Sequence, residues 1–172
     1  FELAIVDPPY GININMNMGL KKGQKKKREQ KNWDNAIPTA EYFKELFRVS
    51  RNQIIWGGNY FTDFLPPSKN WIVWDKQNPN LSFAEGELAW VNAGNNLRIF
   101  KHYSAQVEDG GKIHPTQKSV KLYEWLLTRY AVKGDKILDT HVGSASSLIA
   151  CHNLGFDYVG FELDKDYYSM DN

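Results

Sequence analysis

Leu3-Ala4-Ile5-Val6-Asp7-Pro8-Pro9-Tyr10 decides the fold: an apolar run that empties abruptly into an acid, two prolines and an aromatic ring. Unbroken apolar residues fit a strand buried on both faces, the habit of a parallel sheet. Neither proline can donate to a ladder, so the strand ends at Asp7. What reaches the carboxyl edge of the sheet is a carboxylate, backbone carbonyls with no competing proline N–H, and a ring. Asp7 and the Pro8 carbonyl can accept N–H bonds from an exocyclic amine on a planar substrate while Tyr10 stacks on its face. A base flipped out of its stack has that shape and those groups.

Gly11 to Gln30 is rich in Asn, Gly and Lys, has no apolar periodicity and reads as a mobile loop. Residues 12–32 hold seven basic side chains, among them Lys25, Lys26, Lys27 and Arg28, against Glu29 alone, although the whole chain carries a net charge of only +1. A charge run is usually a solvated face. Its place directly after the amine pocket favours contact with phosphates, which such charges bind by counterion release.

Thr39 is expected to cap a helix over roughly 40–48 with Phe43, Leu46 and Phe47 on one face. Gln53 to Trp56 reads as a second strand closed by Gly57-Gly58-Asn59-Tyr60, and Trp71 to Trp74 as a third. Glu87 to Asn92 and Leu97 to Tyr103 read as antiparallel or edge strands. From Thr116 the spacing of Val120, Tyr123, Leu126 and Leu127 predicts a helix of about 14 residues, capped by Gly134-Asp135. Lys136 to Asp139 is then a strand, Ser147 to Leu154 an apolar helix and Tyr158 to Glu162 a strand, with another helix beginning in the last ten residues. Strand, glycine turn, helix and strand with a terminal acid is the plan of a nucleoside-cofactor half-site in a doubly wound α/β fold.

In that half-site Asp139 ends a strand and Gly143 permits a tight turn. Ser144, Ser146 and nearby N–H groups face the start of the next helix, a favourable place for an anion. Glu162 falls at the end of the following strand, where a carboxylate can accept both ribose hydroxyls. Asp139 suits a cationic amine or sulfonium, with plain turn capping as the simpler reading. With one glycine, the loop is no dinucleotide-binding fingerprint. G-x-S-x-G is absent, so no nucleophile elbow is expected. His102, His114, His141 and His152 are widely spaced, and no metal is expected.

A length of 172 residues suits one domain, and 42% hydrophobic with 24% charged residues is ordinary for a soluble protein. No apolar run is long enough to span a bilayer, so no membrane partner is expected. The single cysteine, Cys151, excludes an intrachain disulfide framework and favours an intracellular setting.

Taken together, the chain resembles the amino DNA methyltransferases, in particular the permuted class in which the catalytic half precedes the S-adenosylmethionine half, and especially small phage-like adenine-N6 members. Asp7-Pro8-Pro9-Tyr10 matches the catalytic signature in full. His114-Pro115-Thr116-Gln117-Lys118-Ser119 resembles the segment that opens the cofactor half, and Asp139 to Ser146 resembles the Asp-Pro-Phe-x-Gly-Ser-Gly loop. The resemblance extends through Trp56 to Tyr60 and Trp71 to Lys76. It implies a circularly permuted Rossmann-like fold with a mostly parallel sheet and an antiparallel edge. It divides the single domain into a catalytic half, 1–113, and a cofactor half, 114–172.

The resemblance implies that Asp7 and Pro8 orient the target amine within the Asp7-Pro8-Pro9-Tyr10 signature, with Tyr10 stacking on the base. Asn59 and the basic residues 25–28 are expected on the substrate side. Thr116, Lys118 and Ser144 would lie near the carboxylate of S-adenosyl-L-methionine, Asp139 and Gly143 by its methionine portion, and Glu162 on the ribose. The expected partner is double-stranded DNA with a flipped base, in a bacterial or phage-encoded cytoplasmic protein, and a homodimer is compatible with the resemblance. Adenine N6 and cytosine N4 both present an amine on a planar ring, and charge does not separate DNA from RNA, so the residues leave both choices open. Ser119 stands where the family has proline, Thr140-His141 replaces Pro-Phe, and Ala145-Ser146 replaces the second glycine region. Ala145 is expected to reshape its turn, and a noncatalytic nucleic-acid binder is the corresponding alternative. Because the sequence stops soon after Glu162, cofactor-adenine contacts or a sheet edge are expected to be missing.

Overall fold

The computed structural model describes residues 1–13, 34–77, 84–103 and 117–164. Lys25 to Arg28, His114 to Thr116 and the expected terminal helix lie outside the described residues.

β1 (Leu3–Val6) is fully buried and sits inside a seven-stranded sheet. It pairs in parallel with β2 (Asn52–Trp56) on one side and with β6 (Lys136–Asp139) on the other. Beyond β6 lies β7 (Asp157–Gly160), again parallel. Beyond β2 come β4 (Gly86–Val91), then β3 (Trp71–Asp75), then β5 (Arg98–Lys101) at the far edge. β4 runs antiparallel to both β2 and β3, while β5 is parallel to β3. The sheet is therefore mostly parallel as expected, but its antiparallel strand is interior and both edges are parallel. The reason lies in chain path: the short excursion after β3 returns as β4 into the gap beside β2, and only then does β5 take the edge.

Side chains alternate across the sheet with period two. Leu3, Ile5, Ile54, Trp56, Ala89, Val91 and Ile137 face one core, closed by α2 (Val120–Tyr130) and α3 (Ser146–Leu154) through Leu122, Leu126, Leu127, Ala150 and Cys151. Ala4, Val6, Ile55, Trp90 and Leu138 face the other, closed by Phe43 and Leu46 of α1 (Ala40–Val49) together with Phe61 and Leu65. A strand such as β1 must be apolar at every position because it faces helices or aromatic rings on both sides.

Two helix ends differ from expectation. α2 begins at Val120, because the Ser119 hydroxyl accepts the Leu122 N–H at 3.2 Å. The serine in place of the family's proline is thus the cap. α2 ends at Tyr130 with Ala131 as its C-cap, and Gly134-Asp135 form the following turn, in which the Asp135 carboxylate accepts the Val132 N–H at 2.9 Å. Thr39 does stand at the N-cap of α1, but its side chain makes no capping bond.

Candidate active site

Parallel strands deliver their last residues to one edge of a sheet, and an interior antiparallel strand delivers its first residues to the same edge. Asp7 follows β1, Asp139 ends β6, Glu162 follows β7, Gly57 follows β2 and Lys76 follows β3, while Glu87 comes to this edge from the start of β4. That topology gathers four carboxylates along one rim.

At the exit of β1 both oxygens of Asp7 are held. Oδ1 accepts the Tyr10 hydroxyl at 2.7 Å and Oδ2 accepts Lys118 Nζ at 2.5 Å. Lys118, 3% exposed, also lies 3.0 Å from Glu87 Oε2 and 5.1 Å from the Trp56 ring centroid. Burial alone would depress its ammonium, but Asp7 and Glu87 outweigh that and hold it above the ordinary lysine value. Burial likewise pushes Glu87 up, and Lys118 and Lys76 reverse it to about 2. Lys118 is a fixed cation, not a proton acceptor. Its partners are Asp7 and Glu87, not the Asp139 loop, because a buried ammonium needs anions and two stand beside it.

Tyr10 is set by its backbone and by a glycine. Buried Asp34 accepts the N–H groups of Tyr10 and Gly11 on one oxygen, at 2.7 and 2.9 Å. Gly57, at φ 69°, gives the ring its place: a Cβ there would come within 2.2 Å of Tyr10 Cε1. The ring stacks on Tyr60, with centroids 4.9 Å apart and planes 15° off parallel. Asn59 is exposed on the adjoining 3-10 turn, Gly58–Tyr60. Pro8 is buried and Pro9 half-buried.

Asp139 and Glu162 are held by neutral donors. Asp139, 2% exposed, accepts the His141 N–H on Oδ1 at 2.9 Å and the Ser147 hydroxyl on Oδ2 at 2.5 Å. Burial lifts its pKa to about 6 against those two hydrogen bonds, with Asp7 and Glu162 adding to the rise. Glu162 accepts the Gly143 N–H at 2.8 Å and the Asp164 N–H at 2.7 Å, which ties the β7 end to the glycine turn. Ser144 and Ser146 share a hydroxyl contact of 3.0 Å. A Cβ on Gly143 would meet nothing nearer than the His141 carbonyl at 4.0 Å, so its positive φ of 59° rather than crowding calls for glycine.

The Thr140-His141 departure has a structural use. Tyr42 and Thr140 hydroxyls meet at 2.7 Å, and Thr140 Oγ1 meets His141 Nδ1 at 2.9 Å. Burial lowers the His141 pKa to about 4, against the pull of Asp7, so the imidazole is neutral at physiological pH. Ala145 occupies the left-handed region at φ 55°, ψ 12°, so the turn keeps a glycine-like geometry instead of being reshaped. Among the described residues no group of three or more His, Cys, Asp or Glu is placed to hold a metal. No helix among them is long and apolar enough to cross a membrane.

Asp34 and Glu87 are the residues that sequence reasoning passed over. Each is a lone acid with no flanking signature, and only the three-dimensional pairing gives it a role.

A sequence model of the DNA methylase family, N6_N4_Mtase, matches residues 92–171. The Type II methyltransferase M.HpaI of Haemophilus parainfluenzae is 37% identical over 59 residues, 34% of this chain and 19% of that protein. The Type II methyltransferase M2.DpnII of Streptococcus pneumoniae is 23% identical over 212 residues, 96% of this chain and 79% of the relative. Among solved structures, the complex of M1.HpyAVI with SAM superposes with a TM-score of 0.63 at 20% identity, covering 98% of this chain and 85% of that one. The cytosine-N4-specific PvuII DNA methyltransferase gives 0.59 at 12% identity, covering 97% and 76%. Sheet and structural neighbours define a Rossmann-like fold. The family model spans just under half of this chain, which is similar over that stretch to the N6/N4 DNA methylases.

Proposed function

We propose that this chain is an S-adenosyl-L-methionine-dependent DNA methyltransferase of the permuted class that modifies the N6 amine of adenine, with 1–113 as its catalytic half and 114–172 as its cofactor half. The observation that carries the reading is the Asp7 carboxylate at the exit of β1, 2.7 Å from the Tyr10 hydroxyl and on the same rim as Asp139 and Glu162. The adenine assignment rests on the resemblance of Asp7-Pro8-Pro9-Tyr10 to adenine-N6 members.

The rim fits the cofactor by chemistry. Asp139 is a buried carboxylate without a cationic partner among the described residues, and Glu162 already carries the Gly143 turn. When bound, S-adenosyl-L-methionine supplies a methyl group on a cationic sulfonium, activated for transfer to nitrogen. Glu162 would hold its ribose, and Asp139, Gly143 and Ser144 its methionine portion.

Asp7 Oδ1 is the acceptor for the target amine. It exchanges the Tyr10 hydroxyl for an amine N–H, the Pro8 carbonyl takes the second N–H, and the Tyr10 ring is left to stack on the base. The arrangement aims the nitrogen lone pair and stabilises the positive charge that the nitrogen gains on alkylation. The released proton goes to Asp7 or to water, because Lys118 stays protonated. Alignment, more than a strong base, is what this chemistry needs. Asn59 and the basic residues 25–28 would face DNA.

The test is transfer of labelled methyl from S-adenosyl-L-methionine to unmethylated double-stranded DNA, with nucleoside mass analysis. N6-methyladenine is expected. N4-methylcytosine alone would replace the base assignment, and turnover on RNA but not DNA would replace the polymer.

A further inference from the structure

We infer that Glu87 is a positioning residue for the transfer, acting on Asp7 through Lys118; the inference rests on the methyltransferase reading above. Charges alternate along one line around buried Lys118. Lys76 Nζ lies 2.6 Å from Glu87 Oε1, Lys118 Nζ lies 3.0 Å from Glu87 Oε2, and Lys118 Nζ lies 2.5 Å from Asp7 Oδ2. Side-chain exposures along the line are 15% for Lys76, 20% for Glu87, 2% for Lys118 and 20% for Asp7, so solvent screens none of these contacts fully.

The line crosses three strand ends. Lys76 follows β3, Glu87 belongs to β4 and Asp7 follows β1. Lys118 comes from the approach to α2 and is the bridge. Its ammonium is shared between two carboxylates, and that sharing decides where it stands relative to Asp7. With Glu87 removed, Lys118 keeps Asp7 as its one carboxylate partner and is free to follow it. The carboxylate whose Oδ1 must trade a tyrosine hydroxyl for an amine is then held at Oδ2 by a cation in a different place. Glu87 Oε2 meets Lys118 as an ion pair at 3.0 Å between full charges, so the contact is sensitive to the charge on Glu87. Lys76 in turn fixes Glu87 from outside. The interior antiparallel strand has a purpose in this account: it brings an acid to the rim where only parallel strand ends would otherwise arrive.

The experiment compares parent, Glu87→Gln, Glu87→Asp and Lys76→Met under saturating DNA and cofactor. Glu87→Gln keeps the shape and removes the charge. Its kcat is expected to fall about tenfold or more, the scale of a small misplacement at a reacting group. KM for the cofactor should hold, since the Asp139 side is untouched. Glu87→Asp should recover part of the loss and Lys76→Met should show a smaller one. Folded Glu87→Gln with parental kcat, or losses confined to thermal stability, would overturn the inference.

A second readout does not need turnover. The Asp7 carboxyl ¹³C and Lys118 Nζ ¹⁵N resonances should both move in Glu87→Gln at neutral pH. Unmoved resonances overturn the inference even if the parent is active. Moved resonances in a parent that methylates nothing would sink the methyltransferase reading and leave the coupling of Glu87 to Asp7 standing.

Discussion

The two halves of the rim treat their carboxylates in opposite ways. Around Asp7 both rim acids have a cation: Lys118 serves Asp7 and Glu87, and Lys76 serves Glu87 again. Around Asp139 and Glu162 the partners are a hydroxyl and backbone N–H groups, with no cation among the described residues. The first half is neutralised internally and suits a neutral amine. The second holds negative charge that a cationic ligand would complete, at a standing cost visible in the raised Asp139 pKa.

The strongest way to break the contrast is Asp7→Ala. It removes the acceptor and leaves Lys118 with one carboxylate. Methyl transfer should fall on the order of 10²–10³-fold, the scale seen when a preorganised electrostatic group is lost. Cofactor affinity by calorimetry should be unchanged. Stability should drop by about 2–3 kcal/mol, less than for a fully broken buried pair because Glu87 remains. Near-parental turnover would remove Asp7 from the site.

Gly57→Ala comes next. It places a side chain at φ 69° and a methyl 2.2 Å from the Tyr10 ring. The ring must move off Tyr60 and the Tyr10–Asp7 bond must lengthen or break. A loss of about 100-fold in turnover is expected from that displacement. Chemical denaturation should show a cost of about 1–2 kcal/mol from the backbone alone. Parental kinetics would mean that Tyr10 does not need its present place.

Much of this was legible in sequence because it is local. β1 is a continuous apolar run ended by an acid and β6 a two-residue apolar core, Ile137-Leu138, ended by one; the β2 run and the paired glycines behind it place Gly57. What escaped depends on partners far away in the chain. The antiparallel β4 lies inside the sheet because of where its neighbours pair, and an apolar-polar stretch cannot say which strand it will join. Lys118 and Asp7 are 111 positions apart, so the motif around Lys118 gave no sign of that ion pair. Glu87 is one acid among 20 acidic residues, distinguished only by the two lysines that the fold sets beside it.

The third test sharpens the cofactor side. The Asp139 carboxyl is raised from 3.8 to about 6, so between those values the folded protein keeps a proton that the unfolded chain has lost. Stability therefore falls as pH rises through that window, and the ionised group costs on the order of 1–3 kcal/mol at neutral pH. A bound cation favours the ionised form. Cofactor affinity should accordingly weaken below about pH 6, by up to tenfold per unit. His141, lowered to about 4, titrates beneath most of the window, and Asp7 and Glu162 are the other charges facing Asp139. Asp139→Asn should flatten this pH dependence and bind cofactor poorly, yet melt a few degrees higher at neutral pH. Affinity that stays constant from pH 7 to 5 would separate Asp139 from the cation.

The smallest effect is expected at Ala145, and it tests whether the altered loop is damaged or merely strained. Its φ of 55° is one that glycine adopts freely and alanine at a cost of about 1–2 kcal/mol. Glycine gains more backbone freedom when unfolded, which offsets about 0.4–1 kcal/mol of the relief. Ala145→Gly should thus stabilise by about 0.5–1 kcal/mol, read from denaturant midpoints at constant slope. Because Ile149 N–H already bonds the Ala145 carbonyl and Ala145 N–H the Val142 carbonyl, the turn is closed with alanine in place. Cofactor affinity should change little. A large gain in affinity with no gain in stability would instead mean that the alanine holds the loop away from the geometry that the ligand needs, and the departure from glycine would then be functional, not merely a tolerated strain.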